Sequence, residues 1–172
     1  MKKILETKRT YLREFLPNDA RWFYELNLDP EVVKYTGDPP FESVEQASEF
    51  IDNYNQYKVN GYGRWAVCLK QTHEFIGFCG LKYHPEEDIT EVGFRFFRRL
   101  WGQGFATETA KACLELGFKN LKLKEIYAHA DRENAGSIRV LEKCGLKFVE
   151  PIVYDGQEAN LYCISLEEYE QN

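Results

Sequence analysis

Apolar positions recur along the 172-residue chain with two different periods, and the switches between them predict a mixed α/β order. Arg9 to Glu14 reads as a first strand, after which Pro17 opens a helix through about Leu26, with Trp22, Phe23 and Leu26 at helical spacing. Ser43-Val44-Glu45-Gln46 has the form of a capping box, followed by the apolar stripe Val44, Ala47, Phe50, Ile51 and Tyr54. Arg64 to Lys70 and Phe75 to Tyr83 read as a hairpin, and Glu91 to Phe97 as the next strand. Helical spacing returns at Ala106, Ala110, Cys113, Leu114 and Phe118, ahead of a strand from Lys124 to Ala130. That order makes a crossover, expected to be parallel and right-handed. A helix from about Ser137 ends near Gly145, and two last strands, Lys147 to Tyr154 and Asn160 to Ser165, turn through Asp155-Gly156. The tail from Glu167 is expected to be loose.

The strand at Glu91–Phe97 feeds the stretch Trp101-Gly102-Gln103-Gly104-Phe105-Ala106-Thr107-Glu108. Two glycines followed at once by a helix make an anion site, because glycine allows close backbone approach and the first helical N–H groups have no intrahelical partner. The same residues also suit a plain strand-to-helix turn. A nucleotide P-loop is a poor reading, since Gly104-Phe105-Ala106-Thr107 lacks the Lys-Ser/Thr pair that reaches phosphate and magnesium. Further on, Asn134-Ala135-Gly136-Ser137 opens a second helix after a strand. Asn134 and Ser137 are both favoured N-cap residues, so capping alone would account for them.

Together, "WGQGFATE", "NAGSIRVLEKCGL" and, near the start, "DPEVVKYTG" resemble the GNAT superfamily of N-acetyltransferases, in the branch that includes the ribosomal-protein alanine N-acetyltransferases. The resemblance runs over nearly the whole chain. It implies one domain over residues 1–172, with a mixed, mostly antiparallel sheet of about six to seven strands and about four helices. It also implies that the Glu91–Phe97 and Lys124–Ala130 strands splay apart to hold acetyl-CoA as cosubstrate. By that likeness Trp101, Gly102, Gln103, Gly104, Phe105, Ala106 and Thr107 would bind the pyrophosphate. Phe94 and Phe96 would offer backbone groups to pantetheine, Asn134 would touch it, and Ser137 would give a proton to the leaving thiolate. Trp101 departs from the Arg or Gln usual at the start of the superfamily's loop, and Arg99 offers a rival register. Arg98 and Arg99 would add charge near the loop, whereas Arg139 and Lys143 read first as solvated.

The reaction implied is direct attack of a neutral amine on the thioester. An α-amine with a pKa near ~8 must first lose a proton. Glu91 is the leading candidate base; a sheet-edge charge or salt bridge is its other reading. The acceptor is expected to be a protein or peptide α-amine, with a polyamine, amino acid or antibiotic amine as the alternative. Tyr35, Trp22, Tyr154 and Asp155 are candidates to line its pocket, or simply core residues. A non-catalytic acyl-CoA-binding module and an interaction domain that lost its ligand are the readings from other classes.

Composition narrows the rest. With 44% hydrophobic and 15% aromatic residues the chain is expected to fold throughout. The net charge of −6 speaks against nucleic acid and anionic membranes as partners, and would favour cationic amines. Five cysteines without a C-x-x-C pair read as reduced core thiols, and the three dispersed histidines lack metal-ligand spacing, so no metal is expected. The basic start, Met1-Lys2-Lys3, is broken by charge before an apolar signal core can form, so the protein is expected to be cytoplasmic. A monomer or a homodimer would serve equally.

Overall fold

The computed structural model describes residues 1–172. Two short strands, β1 (Lys3–Glu6) and β2 (Thr10–Arg13), precede a 3-10 turn at Pro17–Asp19 and the helix α1 (Ala20–Leu28). Helices α2 (Pro30–Val33), α3 (Val44–Asp52) and α4 (Gln56–Asn60) follow. The three central strands are β3 (Arg64–Leu69), β4 (Phe75–His84) and β5 (Ile89–Phe96). Then come α5 (Phe105–Lys119), β6 (Glu125–Asp131), α6 (Ala135–Lys143), β7 (Lys147–Tyr154), β8 (Gln157–Ser165) and α7 (Leu166–Gln171).

One eight-stranded sheet runs in the order β1-β2-β3-β4-β5-β6-β8-β7. Every neighbouring pair is antiparallel except β5 and β6, which are parallel and joined through α5. Alternation along the strands sends side chains to two cores. Trp65, Val67, Leu81, Val92 and Ile126 pack under α5 through Ala110, Cys113, Leu114 and Phe118. Ala66 and Phe75, on the other face, are covered by Phe15, Phe23, Leu26, Ala47 and Ile51 from the early helices. Their approach is pinned by a buried two-pronged pair, Arg13 to Asp19, at 2.7 and 2.8 Å. All five cysteines are free, and four are buried. No helix is long and apolar enough to cross a membrane.

Eight strands and seven α-helices replace the expected six to seven and about four. The additions are short: β1 is interrupted by charge, and α2 and α4 are too brief to show a period. The tail, expected to be loose, is the helix α7: Ser165 and Glu168 form a capping box, and the Tyr169 ring stacks on Phe118 at 4.8 Å between centroids. At α3 the capping box is only half formed. Ser43 accepts from Gln46 N–H at 3.1 Å, but the Gln46 side chain accepts from Glu42 N–H instead of turning back to Ser43. β8 starts at Gln157, earlier than expected, because Asp155 (φ +48°) and Gly156 (φ +75°) close a two-residue hairpin in the left-handed region.

Candidate active site

β5 and β6 meet in register only at Glu91↔Tyr127 and then part. Phe97 N–H donates to Ile76 C=O on β4, so strand alternation turns the N–H and C=O of Phe94 and Phe96 the other way, into the gap. The Phe96 carbonyl there accepts from Trp101 Nε1 at 3.0 Å, which fixes the half-exposed indole at the start of the glycine loop. Gly102 (φ +76°) and Gly104 (φ +84°) both lie in the left-handed region. No side chain caps α5, and its first turn closes with Glu108 N–H on Gly104 C=O at 3.0 Å. The N–H groups of Phe105, Ala106 and Thr107 are therefore left without an intrahelical acceptor, at the positive end of a fifteen-residue helix.

The loop is braced from the far edge of the sheet. Arg9 donates to Glu108 Oε2 at 2.7 Å and to the Gln103 carbonyl at 2.9 Å, and its guanidinium lies 4.0 Å from the Phe105 ring centre. Glu108 also accepts from Thr7 Oγ1 at 2.7 Å and Arg9 N–H at 2.9 Å. Sequence reasoning missed this clamp, because nothing local ties Thr7 and Arg9 to a helix a hundred residues away.

Asn134 does cap α6: its Oδ1 accepts from Ser137 N–H at 3.2 Å, and its Nδ2 donates to Ser137 Oγ at 3.0 Å. Both residues also line one groove of about 1720 Å³ that takes in Phe94, Phe96, the whole stretch Trp101–Thr107, Glu91 and the open face of α6. The cap and a groove-lining position therefore coexist. Arg139 and Lys143 line the same groove and make no ion pair, whereas Arg98 is committed to Asp29 at 2.9 Å and Arg99 to Glu74 at 2.5 Å. Of these four cations, the two without an ion pair are thus on α6, not before the loop.

Past the splay the groove reaches the α1–α3 side, where Glu31, Asp38, Glu42, Glu49 and Asp155 line it with Tyr35, Phe50 and Tyr154. Trp22, also considered for this pocket, points outward instead and is 40% exposed. Arg95 anchors the loop after α2 to the sheet through Asp38 at 2.9 Å and Asn27, a residue buried in α1.

Glu91 sits where the strands begin to part and is 6% exposed. Its Oε1 meets Arg64 Nη2 at 2.6 Å, and its Oε2 meets His129 Nδ1. His84 Nε2 lies 3.7 Å from Oε1, beyond hydrogen-bond length, and has no other partner. Burial alone would raise the Glu91 carboxyl, but His129, His84 and the Arg64 guanidinium outweigh it and hold it well below the usual carboxylate range. Glu91 thus lines the groove, as a base would have to, and is a buried ion-pair partner, which was its other reading. His84 and His129, dispersed in sequence, are gathered on it. Their visible signal was that His129 and Glu91 take alternate positions on the two strands predicted to splay, a juxtaposition that needs the register to be seen.

The family described as Acetyltransferase (GNAT) domain matches residues 9–147. The uncharacterized N-acetyltransferase p20 of Bacillus licheniformis is 36% identical over 139 residues, covering 80% of this chain and 78% of the relative. A GNAT-family acetyltransferase from Bacillus anthracis has the same fold, with a TM-score of 0.82, 27% identity, and coverage of 95% of this chain and 98% of that one. The spermidine N-acetyltransferase of Vibrio cholerae, in complex with CoA and spermine, superposes with a TM-score of 0.78 at 24% identity over 94% of this chain and 98% of that one, a likeness of fold alone.

Proposed function

The chain belongs to the GNAT acetyltransferase family and is an acetyl-CoA-dependent N-acetyltransferase, and from that premise we propose how its groove divides the work and which amine it takes. One observation carries the reading. A single groove links the unpartnered amides of Phe105, Ala106 and Thr107, the gap between β5 and β6, and a mouth lined by five carboxylates. Pyrophosphate would rest on Gly102–Thr107 with Arg139 and Lys143 adding charge, and the pantetheine arm would hydrogen-bond Phe94 and Phe96 in place of the missing strand. Asn134 would reach the arm's amides from its cap position.

The acceptor proposed first is the α-amine of a protein or peptide, which an open mouth would admit with its chain attached. A small polycationic amine is the second reading, favoured by the carboxylates of Glu31, Asp38, Glu42, Glu49 and Asp155. Free-thiol release measured with a panel of short peptides and of polyamines separates them. A silent peptide panel beside an active polyamine overturns the first choice.

Ser137 is proposed as the proton donor to the departing thiolate. A thiol pKa of about 8.5 already makes coenzyme A a fair leaving group, so Ser137→Ala is expected to lower kcat only about 10- to 100-fold. Steady-state kinetics at saturating acetyl-CoA check this; an unchanged kcat would leave Ser137 its capping role alone.

A further inference from the structure

Three protein contacts fix the His129 ring, and they leave one nitrogen unused. Nδ1 faces Glu91 Oε2, the ring stacks on Tyr154 at 3.7 Å between centroids, and the register Glu91↔Tyr127 sets the backbone just before the strands part. A carboxylate only accepts, so Nδ1 carries the hydrogen and Nε2 is the nitrogen left to take a proton from the groove. The ring's polar contact to the protein is made through Nδ1, the side chain is 25% exposed, and the residue lines the groove, so Nε2 is open to it. Resting on the acetyl-transfer reading of that groove, we infer that His129 Nε2 takes the proton from the incoming ammonium and that Glu91 is the positioning residue that holds the imidazole.

Glu91 is ill suited to accept the proton itself. Both its oxygens are engaged, and its carboxyl is held below the usual range, so it binds a proton weakly. Tyr154 is pushed up to about 12 by burial and the Glu91 charge, so it stays neutral near pH 7 and is no base either. The charged and titratable groups around His129 are therefore Glu91 on β5, Arg64 on β3, His84 on β4 and Tyr154 on β7, with Asp155 next to it. Stepwise, the ammonium N–H bond breaks and its proton goes to Nε2, to be passed to water at the mouth. The freed nitrogen pair forms the C–N bond as the carbonyl pair moves to oxygen. The oxygen pair then re-forms the carbonyl as the C–S bond breaks with its electrons on sulfur; sulfur takes the Ser137 hydroxyl proton, and nitrogen's second proton, passed through water, restores that hydroxyl.

His129→Gln and His129→Ala test the inference, with acetyl-CoA affinity measured alongside. The expected result is an unchanged affinity and a kcat lowered about 100-fold at pH 7. That deficit should shrink as pH rises past the amine pKa of ~8, where the substrate sheds its own proton. Added imidazole should restore turnover in His129→Ala but not in Ser137→Ala. Glu91→Gln should move the pH limb and lower kcat by less. A kcat within threefold of wild type, or a deficit indifferent to both pH and imidazole, overturns the inference while leaving the acetyl-transfer reading intact. A wild type that binds acetyl-CoA yet acetylates no amine overturns both.

Discussion

Gly104→Glu is expected to weaken acetyl-CoA binding at least 100-fold while leaving the chain folded. Gly104 has φ +84°, and an added Cβ would meet only Arg9 Nη2, at an ordinary 3.5 Å. Space is therefore not the obstacle. Left-handed backbone costs an L side chain about 1–2 kcal/mol, which a folded domain of this size tolerates. The carboxylate is what matters, because it would project beside the free N–H groups of Phe105, Ala106 and Thr107, where the pyrophosphate is proposed to sit. Two like charges ~4 Å apart repel by about 1 kcal/mol in water and about 4 kcal/mol at the effective dielectric of a protein surface. With two phosphate charges against it, the surface value sums to about 8 kcal/mol, well above the ~2.7 kcal/mol that 100-fold represents, and the backbone strain, the same in bound and free protein, does not enter. Arg9 offers no relief, since its guanidinium already serves Glu108 and Gln103. Gly104→Ala carries the strain without the charge and is expected to lose no more than about tenfold. Calorimetric titration of the three proteins with acetyl-CoA decides the matter; equal affinity in Gly104→Glu would move the phosphate site elsewhere.

Much of this candidate site could be nominated from sequence because its signals are local. Two glycines, a helix start and an Asn-x-x-Ser cap are each written within a few residues, so the stretch Trp101–Thr107 and the pair Asn134 and Ser137 could be picked out before any contact was known. The sequence of elements and the parallel β5–β6 crossover followed from periodicity joined to a connection rule, whereas β1 and the place of β8 between β6 and β7 did not. What stayed hidden depends on register. Arg9 braces the loop only because β1 and β2 fold back beside α5, and His129 meets Glu91 only because Tyr127, not a neighbour, pairs with it. Arg64 reaches Glu91 because Gly93 has no side chain between them, an absence that carries no sequence pattern. Helices as short as α2 and α4 escape for a different reason: one turn cannot display a period of 3.6 residues.

That arginine carries the second large effect. Arg64→Met is expected to destabilise the fold by about 3 kcal/mol at pH 7, because removing one partner of a buried pair leaves the other charge uncompensated. Arg64 donates to Gly80 C=O at 2.7 Å, to Glu91 C=O at 2.9 Å and to Glu91 Oε1 at 2.6 Å, so three acceptors lose their donor at once. The sign of the pH dependence follows from Glu91. Its folded carboxyl lies below the usual range, so its stabilisation is present above the unfolded pKa of ~4.3 and is lost as pH falls toward the folded value. Without Arg64 that depression lessens. The gap between wild type and Arg64→Met should therefore be widest at neutral pH and close as pH drops below about 4. Gly93→Ala should reproduce part of the loss with Arg64 still in the chain, since the added Cβ would stand 2.4 Å from Nη2 and 2.7 Å from Cζ, forcing the guanidinium off its acceptors. Urea unfolding of all three proteins at neutral and acid pH measures the gap. A penalty that is negligible, or identical at both values, would mean that the pair does not hold this end of the sheet together and that Glu91 owes its place to His129 alone.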